Sequence, residues 1–310
     1  MTITSNENFG HGNTPVSLSE LRDFYGKSNP VSLNATFNGG QSVVPDSLPA
    51  AGTETSFGDF RNAYRVLRKK GTTQTIASGT SWTPAQADCV QYNVYVVGGG
   101  GGGSVVAGTG GAQGGCGGGT ALGIYTSSTD NITSAIISIG AGGASRSRTT
   151  TGDGGAEALT GNSGGSTVFN PNGDGPTLTG GAGAGGRGVT SGTVSATAGG
   201  TATGGDSNFA GNGQAATSGK TIGAGPNLGS GGSTKPTEWG TDVTASFAVG
   251  SPAAEYFDGA NIVYTAGSAS PYGAGGAAAR RYPSGDASFV ITSGSGSQGA
   301  IFVTYYELNS

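Results

Sequence analysis

Few residues of the chain combine the type and the spacing that catalysis needs. Residues 161–165 match the G-x-S-x-G pattern of a serine nucleophile, with Ser163 at its centre. Such a hydroxyl needs a base to take its proton, and the only histidine in the sequence is His11, outside any periodic element. A Gly/Ser turn is therefore the better interpretation of 161–165. The lone histidine also argues against histidine zinc sites and most general-base chemistry.

Two other patterns suggest a bound ion or nucleotide, and both are incomplete. Residues 170–175 begin like a calcium loop, but the position of its bidentate glutamate is Gly181. Residues 213–221 resemble a phosphate-binding loop with one residue too many and no apolar strand before it. The sequence leaves open a carboxylate pair for glycoside hydrolysis, although acids are scarce. We expect no cofactor, no metal site and no enzymatic activity, with calcium binding left open.

Aromatic and arginine side chains concentrate late in the chain, between residues 234 and 283. These residue types dominate binding hot spots, and tyrosine among Ser, Gly and Asn is typical of adaptable binding loops. Part of the set could instead fill the core beneath the last strands, and the sequence does not separate the two roles. The candidate receptor-contact residues are Trp239, Phe247, Tyr256, Phe257, Tyr264, Tyr272, Arg280 and Arg281.

The composition limits the elements that can position these residues. Gly (65) and Pro (12) make up about a quarter of the 310 residues, against an average of about 12%. Glycine at this level disfavours helices, while the lack of a sustained Gly-X-Y register excludes collagen. A net charge of −4 shows no nucleic-acid footprint, and no stretch is apolar enough to insert into a membrane. Two cysteines, Cys89 and Cys116, are expected to be buried thiols rather than a bridge.

Five segments rich in β-branched and aromatic residues predict strands, and we expect the first and the last to share a sheet. They are 89–97, 135–139, 260–264, 288–292 and 300–306. Glycine clusters fill much of the chain from 98 to 232, interrupted by single apolar residues that a flexible linker would not need. Extended glycine segments can pack side by side with the geometry of polyproline II. The predicted fold is mainly β, a glycine-rich β-sandwich-like domain with possible polyglycine-II packing.

The first 71 residues differ from the rest, because they hold few glycines and two short helical patterns. Each pattern starts with capping-box spacing, as in Ser17 and Glu20. Helices this short need a partner, so we interpret 1–71 as an attachment module ahead of a domain at 72–310, in which 234–283 is inserted before the closing strands. The candidate assembly contacts are Leu18, Leu21, Phe24, Phe57, Phe60 and Tyr64.

The order of these elements resembles that of a known family. Trp82 comes first, then the strand 94–97, the glycine run 98–103, the segment 136–143, further glycine clusters and the closing 299–306. This order resembles the glycine-rich domain of bacteriophage tail-fibre and tail-tip proteins over most of 75–310. The two N-terminal segments are similar to short modules of phage tail and neck appendage proteins. Polyglycine-II adhesins of T-even-type fibre tips are similar in composition.

The resemblance implies a virion tail protein that contacts the host surface and has no catalytic residues to carry over. Its N-terminal module would bind other tail proteins, and its loops a receptor. It implies a homo-oligomer, with a trimer favoured, and assembly in the bacterial cytoplasm, in agreement with the lack of a signal peptide pattern. Two alternatives stay open: a purely structural virion part (neck, baseplate or head decoration) and, less favoured, a surface-polysaccharide depolymerase.

Overall fold

The computed structural model describes residues 67–86, 89–108, 110–126, 130, 132–150, 157–211, 253–258, 261–266, 272–282 and 289–308. Every regular element in these ranges is a β-strand, which confirms the prediction of a mainly β chain. In these ranges no helix is long and apolar enough to cross a membrane. The two predicted N-terminal helices and their six contact candidates lie outside the described residues.

All five predicted strands are present, and we number strands in chain order. They are β3 (Gln91–Val97), β6 (Ala135–Ser138), β14 (Asn261–Ala266), β16 (Phe289–Thr292) and β17 (Ala300–Leu308). The expected pairing of the first and last strands is confirmed, because β3 and β17 are antiparallel neighbours. Both are rich in apolar residues because both of their faces are buried: Val94 and Val96 face one core, and Tyr95 and Val97 face another.

Sheets 1 and 2 each contain five strands and pack face to face. Sheet 1 has the order β1 (Leu67–Ile76), β17, β3, β5 (Thr120–Thr126) and β12 (Ser207–Phe209). Sheet 2 has the order β11 (Ala202–Thr203), β10 (Leu178–Gly180), β9 (Thr167–Pro171), β6 and β2 (Ser81–Trp82). Trp82 and Phe169 from sheet 2 meet Tyr92 and Tyr125 from sheet 1 in the shared core. We call these two sheets the base.

Sheets 3 and 4 are smaller. Sheet 3 has the order β13 (Ala253–Asp258), β14, β15 (Ala279–Tyr282), β4 (Val105–Ala107) and β8 (Glu157–Leu159). Its β15 and β4 are parallel, whereas its other neighbours are antiparallel. Sheet 4 is the antiparallel pair of β16 and β7 (Ser147–Thr150). Val105, Ala279, Leu159 and Ile291 form a small core that joins sheets 3 and 4.

Between the base and the smaller sheets the backbone is extended and belongs to no sheet. The central segment, 98–104, continues β3 and leads directly into β4. Its amide groups donate to three neighbouring segments in turn: Gly98 to Gly119, Gly99 to Gly165, and Gly100 to Ser297. The cycle then repeats, with Gly101 to Cys116, Gly102 to Asn162, and Gly103 to Gly294. A repeat of three residues is the period of a polyproline-II-type helix.

Six further segments surround the central segment, and together the seven form what we call the glycine bundle. In order around the centre they are 113–119, 273–279, 294–299, 140–144, 161–165 and 181–187, and each is hydrogen-bonded to its two neighbours in this ring. Those that accept from the central amides run antiparallel to it, and those that donate to its carbonyls run parallel. The backbone groups of this buried region are thus satisfied without a sheet or an α-helix.

The connectivity gives the molecule two ends. β3, β6 and β10 run from the base into the bundle, and β5, β9 and β17 run back from it. At the other side the bundle joins the smaller sheets, which we call the distal end. Leu67 pairs with Leu308, whereas Ile76 pairs with Ile301 beside the bundle. The first and last described residues therefore leave from the side of the base that is remote from the distal end.

Candidate binding surface at the distal end

The distal end is held in place by the bundle. A segment of seven residues in polyproline-II geometry spans about 20 Å, so the two ends are well separated. β4 and β15 enter sheet 3 directly from bundle segments, and β7 follows the bundle segment 140–144 after two residues. Strands that continue from a closely packed scaffold place loops with little freedom, as binding sites generally require.

In the hairpin of β13 and β14, the end where β13 stops and β14 begins is the part of sheet 3 farthest from the bundle. β15 runs away from the bundle and ends at Tyr282, which pairs with Ile262, whereas Asp258 pairs with Asn261 one residue further out. Four receptor-contact candidates lie on these strands. They are Tyr256 and Phe257 on β13, Tyr264 on β14 and Arg281 on β15.

Two other candidates are less accessible, since Arg280 is buried and Tyr272 is half-buried. Arg280 on β15 is only 2% exposed, and its Nη1 donates to the carbonyl of Gly110 at 3.5 Å. Tyr272 is half-buried at the base, where its ring meets Phe302 edge to face at 5.7 Å. Tyr272 directly precedes the buried segment 273–279 and Arg280 directly follows it, which explains their burial. Trp239 and Phe247 lie outside the described residues.

A set of arginines that the sequence did not single out lies on one side of the distal end. Arg148 on β7 pairs with Glu157 on β8, and Arg146 Nε donates to the carbonyl of Thr160 at 3.1 Å. The next amide, Gly161 N–H, donates to Gly186, which precedes Arg187. Arg146 and Arg187 are both exposed. The i, i+2 spacing of Arg146 and Arg148 predicts that their side chains share one face of a strand. The sequence does not predict the position of Arg187, because the packing of the bundle brings its segment to this side.

The catalytic and metal-binding patterns of the sequence have structural roles. Residues 161–165 form a bundle segment rather than the expected turn, and Gly161 and Gly164 face the central segment, where a Cβ would collide with Gly102 and Gly99. Ser163 is exposed and accepts from the Gly185 amide at 3.4 Å. In the loop 170–175, the Asn172 side-chain oxygen accepts from the Ser134 amide at 2.7 Å. Within the described ranges no three His, Cys, Asp or Glu residues are placed to hold a metal.

The two cysteines are buried free thiols, as expected. Cys116 lies in the bundle segment 113–119, and its Sγ approaches the carbonyl of Thr197 at 3.6 Å. Burial raises the pKa of the Cys116 thiol, since the thiolate would lose its water. A protonated, enclosed thiol is a poor nucleophile, so Cys116 contributes packing rather than reactivity.

The fold and this surface define a glycine-rich, all-strand domain in which a close-packed bundle separates a base from an exposed distal end. The family model of the glycine-rich domain matches residues 72–306. The chain therefore belongs to the glycine-rich domain family. A comparison with curated proteins finds no match.

Proposed function

We propose that the chain is a phage tail-fibre or tail-tip protein that binds the host cell surface without catalysis. The observation that carries the proposal is that the first described residues and the distal hairpin lie at opposite ends of the described structure. The chain enters the base at Leu67, whereas the hairpin of β13 and β14 belongs to the distal end. An adhesin needs this arrangement, with attachment at one end and recognition at the other.

The N-terminal residues supply the attachment in this proposal. They precede Leu67 and would join the base on the side facing other tail proteins, with Leu18, Leu21, Phe24, Phe57, Phe60 and Tyr64 as contacts. A homo-oligomer, with a trimer favoured, would follow from contacts between bases. Light scattering on the purified full chain measures this state directly, and a monomer at micromolar concentration would remove this part of the proposal.

Adsorption competition tests the adhesin function. The full chain is purified, added to host cells before the phage that carries it, and free phage are counted. We expect a dose-dependent loss of adsorption. Tyr264→Ala on β14 should weaken competition at least tenfold, because loss of an aromatic hot-spot residue at an interface costs binding energy of this order. Lys70→Ala, at the base and paired with Glu307, is the control and should compete like the unchanged protein.

A folded chain that does not reduce adsorption at any concentration contradicts the adhesin function. The purely structural role in a neck, baseplate or head is then the better proposal, and the buried Arg280 and half-buried Tyr272 agree with it. A structural part also predicts that phage lacking the chain fail to assemble, whereas phage lacking an adhesin assemble and fail to adsorb.

A further inference from the structure

All five arginines that follow residue 72 lie at or beside the distal end. Arg280 and Arg281 belong to β15, whereas Arg146, Arg148 and Arg187 lie together on one side and form what we call the arginine patch. The described acids are divided differently. Asp130, Asp174, Asp206 and Glu307 are at the base, and only Glu157, Glu255 and Asp258 are distal. Of the six arginines in the described ranges, five thus lie at or beside the distal end, and Arg68 lies at the base on β1.

One peptide group holds the patch together. The Thr160 carbonyl accepts from Arg146, and the amide on the other side of the same peptide group, that of Gly161, donates to Gly186 beside Arg187. The peptide group between Thr160 and Gly161 therefore contacts Arg146 on one side and Gly186, the neighbour of Arg187, on the other. The guanidinium of Arg187 makes no hydrogen bond within the described ranges, and Thr160 and Ser163 are exposed on the neighbouring segment.

The patch keeps positive charge after its internal pairing. Arg148 is matched by Glu157, whereas the partner of Arg146 is a neutral carbonyl, so the described groups leave two positive charges. Asp153 follows β7 in the sequence and lies outside the described ranges. Guanidinium groups bind phosphate and carboxylate through paired N–H donors, and neighbouring hydroxyls suit the hydroxyl groups of sugars.

We propose that the arginine patch binds the phosphate or carboxylate groups of an anionic surface polysaccharide. This proposal rests on the proposed function, because it names the ligand chemistry of the same distal end. A polymer suits the site better than a single ion, since a repeating ligand engages the two exposed arginines, Arg146 and Arg187, at once and gains from multivalency. Binding should weaken as salt rises, because exposed charges are screened.

Binding of the full chain to defined polymers tests the proposal. The probes are a glycerol-phosphate teichoic acid, polygalacturonate and neutral dextran, which separate phosphate from carboxylate and charge from sugar. We expect binding to at least one charged polymer and none to dextran. Arg146→Gln with Arg187→Gln should weaken this binding at least tenfold. Lys69→Gln with Lys70→Gln removes the same charge at the base and should change it less than twofold.

Equal losses in the two double variants, or equally tight binding of a DNA duplex, would overturn the proposal in favour of general charge attraction. Arg187→Gln alone serves if the double variant unfolds, because the Arg187 guanidinium supports no hydrogen bond in the described ranges. The adsorption assay separates the two proposals. If the unchanged chain and the double variant compete equally, the ligand chemistry is wrong and the adhesin function stands. If the polymers bind the unchanged chain but this chain does not compete for adsorption, the ligand chemistry stands and the adhesin function is wrong.

Discussion

At the scale of single residues, glycine is required where backbones meet. Gly101 lies in the middle of the central segment, and a Cβ there would come closer than 3.0 Å to the backbone of Ala184. Each glycine from 98 to 103 has the same restriction against one of three neighbouring segments in turn. The chain places small side chains where the bundle faces outward, as at Ala141, Ala144 and Ser163, which are all exposed.

Replacing Gly101 with alanine should therefore destabilise the protein by about 3 kcal/mol or more, since the atoms in its way are backbone and cannot move aside. Chemical denaturation measures the change. Gly192→Ala is the matched control: its φ of +80° is unfavourable for alanine, but no atom lies within 4 Å of the added Cβ. That variant should lose only about 1–2 kcal/mol. Similar losses in both would refute the steric explanation.

At the scale of elements, the strands are stabilised by alternate burial or by burial on both faces. β6 shows the first pattern, with Ala135 and Ile137 buried and Ile136 and Ser138 exposed. Ile137 packs in the core between sheets 1 and 2, whereas Ile136, its neighbour in sequence, is 69% exposed. The same residue type therefore contributes very differently at adjacent positions of one strand.

Ile137→Ala should cost about 2–5 kcal/mol, because it removes buried methyl groups and leaves a cavity. Ile136→Ala makes the same chemical change on the exposed face and should alter the free energy of unfolding by no more than about 0.5 kcal/mol. Thermal and urea unfolding of the two variants provide the comparison. A loss at residue 136 as large as that at 137 would mean that the outer face of sheet 2 is covered in solution.

The strands that the sequence missed are stabilised mainly by their partners. β1 is rich in lysine and threonine and becomes a strand by pairing with β17, with an irregularity between Lys70 and Gln74. It also begins before residue 72, so a sheet strand crosses the change in composition used to divide the chain. β5 contains Gly123, yet it pairs along its whole length with β3. Local propensity is weak in such segments, and tertiary context decides.

At the scale of the whole molecule, the buried hydroxyl and thiol groups make stability depend on pH. Burial raises the pKa of Tyr92, Tyr125 and Tyr305 above the ordinary value of 10.0, and that of Cys116 above 9.0. The effect is largest at Tyr125, whose hydroxyl donates to the carbonyl of Pro176 at 2.7 Å. Above about pH 9 the unfolded chain loses these protons while the folded protein keeps them, so the unfolded state binds fewer protons.

The free energy of unfolding should consequently be constant from pH 7 to 8 and fall above about pH 9. The slope reaches about 1.4 kcal/mol per pH unit for each group that stays protonated only in the folded state. Tyr125→Phe should reduce this slope by about the contribution of one group. It should also lower the free energy of unfolding at neutral pH, because the hydrogen bond to Pro176 is lost. Urea denaturation at pH 8 and pH 10.5 tests this, and a stability that does not change with pH would contradict it.

The sequence by itself determined that the chain is mainly β and that β3 and β17 share a sheet, because apolar strands need partners on both faces. It also indicated ordered packing of the glycine clusters, since single apolar residues interrupt them. Only the tertiary structure decided which glycine faces which backbone, that Arg280 is buried, and that the Thr160–Gly161 peptide group joins Arg146 to Gly186, the neighbour of Arg187. These contacts join segments far apart in the chain, and no local periodicity encodes hydrogen bonds between backbones that carry no side chains.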